Sequence, residues 1–210
     1  DLENVPDTKT PYFEDYKKNR FKAKIIKIIG DKIILDRTYF YPTSGGQLHD
    51  IGKISLPGKE IFHIVDVFKQ GSQIVHVVSG TPDFNEGGEV ECEIDLPRRE
   101  QLAKHHTATH IVNAAAKKVL GSHINQAGAK KDMDKATIDL THYQSITNDE
   151  LLQIEKEANK TVKRSIEVKS SFLPRTEAEQ AYGMNIYQGG AVPGKLLRIV
   201  NIPDVDVEAC

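Results

Sequence analysis

The first half of the chain carries short runs in which apolar, often β-branched residues alternate with polar ones. A period of two is typical of strands with one buried face. Turn signals separate several runs, at Gly30-Asp31, Pro57-Gly58 and Gln70-Gly71. The pattern predicts six strands, at residues 21–29, 32–36, 51–56, 61–69, 74–79 and 89–94. With no helical segment among them, we expect a small β-barrel or sandwich over residues 17–95.

The pattern changes at residue 95 from alternation to a helical period. Asp95 can cap a helix, and Pro97 suits the first turn, where a missing N–H costs little. Gly121 is a natural C-terminal stop for this helix. We therefore predict two domains: a barrel with an N-terminal arm over residues 1–95, and a second domain over residues 96–210.

Beyond Gly121 strand and helix patterns mix. Strands are predicted at residues 123–131, 136–143, 166–172, 196–202 and 205–210. Helices are predicted at residues 147–164 and 176–182, where Thr147–Glu150 and Thr176–Glu179 have the capping-box spacing. Helices over an antiparallel sheet make a two-layer α+β core, so the predicted fold class of the chain is α+β.

Composition places the chain among ordinary globular proteins, with 39% hydrophobic and 28% charged residues. No apolar run approaches the roughly 20 residues that a membrane span needs, so we expect no membrane partner. The net charge of −2 argues against strong nonspecific binding of nucleic acid, and any RNA contact would be a local patch. Two lysine-rich clusters are candidates for such a patch or are simply solvated faces: Lys17, Lys18, Arg20, Lys22 and Lys24, and Lys130, Lys131 and Lys135.

Two cysteines do not make a disulfide framework, which favours the reducing cytoplasm. Cys92 lies in an alternating run and is predicted to be a small inward-facing hydrophobe. Cys210 is the last residue of the sequence, and the first residue is not Met. We expect a fragment of a longer protein.

Two histidines of the long helix, His106 and His110, are four residues apart. Such residues share one face of a helix, so both imidazoles can reach one point, as a tetrahedral metal requires of its first two ligands. They lie across from a predicted apolar stripe that consists of Ala108, Ile111, Val112, Ala115 and Val119. The pair therefore faces solvent or a second, more polar cavity. The alternative is two surface histidines with no joint role.

Three further segments have residue types that suit a site. The loop Thr43-Ser44-Gly45-Gly46-Gln47 can expose N–H groups to an anion or a partner domain, or can be a turn that needs glycine for steric reasons. Gln126 can bind a substrate carbonyl or hydroxyl, or be an exposed strand residue. Cys210 could be a soft third metal ligand. A zinc site with three protein ligands and an open position is typical of catalysis.

Taken together, these motifs resemble the editing domain of alanyl-tRNA synthetase and the free-standing alanyl-tRNA editing proteins. The resemblance covers nearly the whole chain and agrees in order and spacing. The matching segments are Phe40-Tyr41-Pro42-Thr43-Ser44-Gly45-Gly46-Gln47, His106-Thr107-Ala108-Thr109-His110, Gln126-Ala127-Gly128 and Asp206-Val207-Glu208-Ala209-Cys210.

The resemblance implies that His106, His110 and Cys210 are zinc ligands. The family's fourth ligand, a histidine four residues after the cysteine, falls outside residues 1–210. The resemblance also implies a glycine-motif β-barrel followed by an editing core. Thr109 and Gln126 match positions linked to discriminating and hydrolysing the wrong aminoacyl group, and residues 43–47 match a segment expected to contact substrate.

The function implied is hydrolysis of mischarged Ser-tRNA(Ala), with Gly-tRNA(Ala) as a second candidate. The expected partners are the 3′ acceptor end of tRNA(Ala) and the remaining domains of a parent synthetase. A free-standing editor and a noncatalytic tRNA-binding module with zinc as a staple are the alternatives. An unrelated metallohydrolase is a third, but Thr107 stands where the H-E-x-x-H proteases carry their glutamate base.

Overall fold

The computed structural model describes residues 2, 4–188 and 190–210 of the chain. They form two compact units, Asp1–Ala103 and Lys104–Cys210. The division falls inside the first long helix, whereas the domain boundary predicted from the sequence lies after residue 95. Among the described residues, no helix has both the length and the apolar character that a membrane crossing requires.

The first unit contains a closed barrel of six antiparallel strands. They are β1 (Arg20–Ile29), β2 (Lys32–Leu35), β3 (Gly52–Ser55), β4 (Ile61–Gln70), β5 (Gln73–Val78) and β6 (Glu89–Ile94). Their order around the barrel is β1-β2-β5-β4-β3-β6, and pairing of β1 with β6 closes it. Each strand was predicted from the alternating pattern to within about two residues, as usual for strand ends. Closure decides for the barrel over the sandwich, and Cys92 is buried in the barrel core as expected.

The N-terminal arm is hydrogen-bonded to the barrel next to β5. The backbone N–H of Thr8 donates to Ser72 O at 3.2 Å, and Thr8 Oγ1 accepts from the Ile74 N–H at 3.0 Å. The Gln73 side chain donates to Val5 O at 2.8 Å. These hydrogen bonds make the arm an ordered part of the unit. The alternating pattern does not reveal them, because the arm's sequence is aperiodic.

A buried ion pair ties the start of the long helix to the barrel within the first unit. Arg99 Nε donates to Asp50 Oδ2 at 3.1 Å, and Arg99 Nη1 donates to Tyr16 O at 2.9 Å. The Arg99 side chain also donates to Tyr39 O. Asp50 Oδ2 accepts a further bond from the Tyr41 N–H at 2.7 Å. Both charges are buried, and breaking such a pair is far more costly than breaking an exposed one.

Helices α1 (Leu96–Leu120), α2 (Asn148–Lys163) and α3 (Arg175–Tyr182) follow the barrel strands. The remaining strands are β7 (Gln126–Lys131), β8 (Ala136–Leu140), β9 (Lys169–Pro174), β10 (Leu196–Ile202) and β11 (Asp206–Ala209). They form two antiparallel sheets, β7-β8 and β11-β10-β9. One core cluster joins α1 to α2 through Ala115, Ala116 and Ile154, and a second lies beneath α3 and the three-stranded sheet. The α+β class is confirmed, although its strands are divided between two sheets.

Helix boundaries follow the capping chemistry in some places and not in others. Asp95 accepts from the Arg98 N–H at 3.0 Å, as predicted, and Thr147 with Glu150 makes the predicted reciprocal box. The predicted box at Thr176 is wrong, because α3 has Pro174 at its N-cap and no side-chain cap bond. Pro174 is still paired with Leu196 in the sheet, so the helix begins directly after the strand and leaves Thr176 inside it.

Two predicted strands are shorter than the apolar pattern suggested. Residues 123–125 and 141–143 lie outside β7 and β8. There, Thr141 Oγ1 accepts from the Asn125 N–H at 3.1 Å, and the Thr141 N–H donates to Asn125 O at 2.8 Å. Side-chain bonding of this kind competes with the regular strand ladder, which the alternation of residue types does not reveal.

Candidate metal centre

The polar face of α1 lies in the interior of the second unit. His110 is 3% exposed, Thr109 is 3% exposed and Asn113 is fully buried. Of the two predicted environments for the histidine pair, the structure has the polar interior, where His110 is buried and His106 is half-buried. Ala108 is exposed, so its place in the predicted apolar stripe is wrong. The other members of that stripe pack in or against the core shared with α2. Because α1 packs on two sides, its apolar residues do not follow the single stripe that is typical of a surface helix.

Two turns of α1 and the end of β11 bring three metal-binding side chains together. One donor atom from each of His106, His110 and Cys210 lies within 4.8 Å of the others. His110 Nε2 is 3.6 Å from Cys210 Sγ, and the two imidazole rings have centroids 5.2 Å apart. A tetrahedral zinc with ordinary bond lengths places a nitrogen and a sulfur ligand ~3.5 Å apart. The three residues therefore fit a zinc ion.

The protonation states of the trio favour metal binding in part. Burial lowers the pKa of His106 to about 3, and the positive charges of Lys131 and Arg198 act in the same direction. His106 is thus a neutral imidazole, the form that binds metal. Burial raises the pKa of the Cys210 thiol to about 12, and the charge of Glu208 adds to this. A metal must displace the thiol proton, so binding should release protons.

Two buried carboxylates face the other side of the His110 ring. His110 Nδ1 lies 3.3 Å from Asp206 Oδ2 and 3.5 Å from Glu208 Oε2. Burial raises the pKa of Glu208 to about 8, and a hydrogen bond with Asp206 and the charge of Asp206 contribute. The two carboxyl groups therefore share a proton near neutral pH. With His110 they form a second group that could hold a metal ion.

Several charged residues near the trio were not predicted from the sequence, or were predicted in the wrong environment. Lys131 was placed in a lysine cluster expected to be either an RNA-binding patch or a solvated face, but it is 2% exposed, and burial lowers its pKa. A burial pattern in β7 that departs from strict alternation explains the error. Asp206 and Glu208 could have been found, because residues two and four positions before Cys210 share its face of an extended strand. Arg198 needs the strand register, since its carbonyl accepts from the Cys210 N–H at 2.9 Å.

Thr109 and Gln126, the residues expected to act on substrate, both lie in the second unit. Thr109 Oγ1 donates to His106 O at 2.7 Å. The lone pairs of Thr109 Oγ1 therefore stay available as acceptors. Gln126 is half-buried at the start of β7, where the pairing with β8 shifts register. In the described part of the chain its side-chain amide has no hydrogen-bond partner.

The glycine loop lies in the first unit and forms a tight turn. Gly45 and Gly46 have φ of 56° and 73°, the left-handed region that favours glycine. The Gln47 N–H donates to Ser44 O at 2.9 Å and the Ser44 N–H donates to Gln47 O at 3.1 Å. These two N–H groups are used within the turn, which supports a steric need for glycine. Thr43 and its neighbours through Gly46 are exposed, and their assignment to substrate stays a prediction.

Comparison with known proteins adds independent findings. The family of class II (A) tRNA synthetases matches residues 4–98. The alanine–tRNA ligase of Pyrococcus abyssi is 45% identical over 209 residues, which cover 100% of this chain and 23% of that protein. The alanine–tRNA ligase of Methanococcus aeolicus is 47% identical over 210 residues, or 100% of this chain and 22% of that protein. That of Nitrosopumilus maritimus is 46% identical over 209 residues. The chain spans less than a quarter of the length of these relatives.

Proposed function

The chain is related along its whole length to a segment of alanine–tRNA ligases, and from this premise we propose that it is their proofreading domain. Its proposed reaction is hydrolysis of the ester in Ser-tRNA(Ala), and in Gly-tRNA(Ala) as a second substrate. The supporting observation is the convergence of one donor atom each from His106, His110 and Cys210 within 4.8 Å. The 3′ acceptor end of tRNA(Ala) and the other domains of a synthetase are the proposed partners.

A separate editing site is needed because a pocket that selects amino acids by size cannot separate serine from alanine well. A pocket for alanine cannot strongly reject an amino acid that merely adds a hydroxyl, so a second hydrolytic site is required. That site must recognise the hydroxyl with polar groups. Thr109 Oγ1 already donates its proton to His106 O, so it would act as the acceptor for a serine hydroxyl. Alanine offers no such donor, and this difference is the proposed basis of selectivity.

The remaining residues have separate roles in the proposal. His106, His110 and Cys210 would hold zinc, which when bound supplies Lewis-acid chemistry. Gln126 would orient water or the ester through its side-chain amide. Residues 43–47 carry the proposed substrate-binding segment of the glycine-motif barrel.

The test is deacylation of Ser-tRNA(Ala) and Ala-tRNA(Ala) by this chain and by a longer protein that continues past Cys210. We expect hydrolysis of the seryl substrate and little of the alanyl one. Thr109→Val keeps the side-chain shape and should reduce the preference for serine by about 5- to 150-fold, the worth of one hydrogen bond of ~1–3 kcal/mol. Gln126→Ala should slow hydrolysis.

Gln153→Ala is a matched control, because Gln153 is an exposed glutamine of α2 in the same unit. It should leave both rates unchanged. If both proteins fold and neither hydrolyses Ser-tRNA(Ala), the deacylase proposal is wrong and a binding module replaces it. If hydrolysis survives Thr109→Val with unchanged selectivity, the role given to Thr109 is wrong.

A further inference from the structure

The His110 ring lies between two chemically different groups. Its Nε2 lies 3.6 Å from the Cys210 sulfur, and its Nδ1 lies 3.3 Å from Asp206 Oδ2. The ring is 3% exposed, so solvent does not decide which nitrogen carries the proton. A neutral imidazole has one protonated nitrogen and one lone pair, and the protonated nitrogen cannot bind a metal.

The cluster around Nδ1 has more acceptors than donors. Asp206 Oδ2, Glu208 Oε1 and Asn113 Oδ1 are buried and, within the described part of the chain, lack a hydrogen-bond partner. The Asn113 amide donates to Gln188 Oε1 at 3.3 Å, so its own oxygen adds to the excess. Buried acceptors without a donor are costly. Glu208 is hydrogen-bonded to the side chains of Asp206 and Asn113. Asp206 Oδ2 and the His110 Nδ1 that lies 3.3 Å from it are the facing pair of buried atoms that still lack a well-formed hydrogen bond.

We propose that Asp206 and Glu208 are positioning residues that hold His110 as its Nδ1–H tautomer and so direct the Nε2 lone pair at Cys210 and the metal. This inference rests on the metal site of the proposed function. In metal sites the second ring nitrogen of a histidine ligand commonly donates to a carboxylate, which sets the tautomer and orients the ring. Here two carboxyl groups would perform that role, with neither of them acting as a metal ligand.

A different arrangement of the same residues gives the opposite prediction. His110, Asp206 and Glu208 also lie within 4.8 Å of one another and could themselves hold a cation. In that arrangement Nδ1 carries the lone pair and Cys210 is dispensable. The two arrangements therefore differ in the tautomer of His110 and in the residues on which metal affinity depends.

The first measurement is the tautomer of His110 in the metal-free chain, from long-range ¹H–¹⁵N correlation spectra in the presence of a chelator. A His110→Gln spectrum assigns the resonances. We expect protonated Nδ1 and unprotonated Nε2. A predominant Nε2–H form would overturn the proposal, and this result is independent of metal and of deacylase activity.

The second measurement is zinc affinity by chelator competition, for the chain and for the double variant Asp206→Asn/Glu208→Gln. The amides keep the shape but remove the charge, and we expect affinity to fall 10- to 100-fold. Asp204→Asn is the matched control. Asp204 is exposed in the same hairpin at φ 61°, a conformation that asparagine tolerates well, and its replacement should leave affinity unchanged.

A third measurement distinguishes residues that position His110 from residues that bind the metal directly. Cys210→Ser should also abolish tight zinc binding, and Co²⁺ bound to the unaltered chain should show thiolate charge-transfer absorption. Unchanged affinity in the double variant overturns the proposal, as does zinc binding that survives Cys210→Ser but is lost in the double variant. If the wild-type spectra show the expected tautomer while Ser-tRNA(Ala) is not hydrolysed, the positioning role stands and the deacylase function fails.

Discussion

Two buried histidines, one in each unit, differ in how well their ring nitrogens are satisfied. His76 in the barrel is fully buried, its Nε2 bonded to Thr38 Oγ1 at 2.8 Å and its Nδ1 to Ile33 O at 3.1 Å. His110 in the second unit is almost equally buried, yet its Nδ1 lacks a well-formed hydrogen bond within the described residues. A histidine with both nitrogens bonded contributes to stability. A buried histidine nitrogen without a partner is rare and calls for a structural or functional explanation.

The same contrast extends to the charges of the two units. In the barrel unit, Asp50 is paired with a guanidinium that also bonds two carbonyls. In the second unit, Asp206 and Glu208 are paired with each other, and burial holds Glu208 partly protonated. In the first arrangement each charge has a buried partner of opposite sign, although Asp50 Oδ1 lacks a hydrogen bond within the described residues. The second leaves Asp206 Oδ2 and Glu208 Oε1 buried without hydrogen-bond partners in the described part of the chain.

The largest expected effect comes from breaking the barrel's ion pair. Arg99→Met leaves the Asp50 carboxylate buried without its cation and should lower the free energy of unfolding by about 3–5 kcal/mol. Chemical denaturation measures this loss. Arg20→Met is the control, because Arg20 and Glu93 form an exposed pair with 76% and 44% of their side chains accessible. Its effect should stay below about 1 kcal/mol. Adding Asp50→Asn to Arg99→Met should recover part of the loss, and no recovery would contradict this account.

The second effect is a pH dependence that arises from the satisfied histidine. Burial lowers the pKa of His76 from 6.5 to about 4. Between these values the unfolded chain binds a proton that the folded chain does not, so stability rises with pH and is lost on acidification. The loss from pH 7 to pH 4 should be roughly 3 kcal/mol. His76→Gln should flatten this part of the profile, whereas His63→Gln, at an exposed position on β4, should retain it.

Glu208 gives the opposite sign in the metal-free chain. Its pKa is raised from 4.5 to about 8, so the folded state holds a proton that the unfolded state has lost between these values. That contribution is present below pH 4.5 and disappears as the pH rises to 8. Glu208→Gln should therefore reduce the decline in stability toward alkaline pH. An unchanged alkaline limb would show that the two carboxyl groups do not share a proton.

The third effect is metal-dependent stabilisation, which should distinguish the two histidines directly. Zinc at 100 times its dissociation constant should stabilise the chain by about 2.7 kcal/mol if only the folded state binds. His110→Gln should abolish this increment, and His76→Gln should retain it. Thermal unfolding with and without zinc measures both. Stabilisation that persists in His110→Gln would place the metal elsewhere.

Local patterns determined much of the architecture. Runs of apolar, often β-branched residues located all six barrel strands. Burial alternates in β1 and β6 and is nearly continuous in β2 and β5. The Asp95 cap and the Thr147 box marked two helix starts, since both act through atoms only a few residues apart. The i, i+4 spacing of His106 and His110 placed both on one helical face for the same reason. Closure of the barrel required the long-range pairing of β1 with β6, which no local pattern specifies.

The candidate site shows most clearly which features local sequence patterns determine and which depend on tertiary contacts. The sequence by itself placed the histidine pair on a helix and a cysteine on a strand, because helical and strand periods are properties of the backbone. Only the tertiary structure decided that His110 is buried and His106 half-buried, that Lys131 is not a surface residue, and that Asp206 and Glu208 meet the Nδ1 side of His110. Burial and pairing depend on residues about 100 positions apart in the chain, such as His110 and Cys210, and local spacing carries no information about contacts of that range.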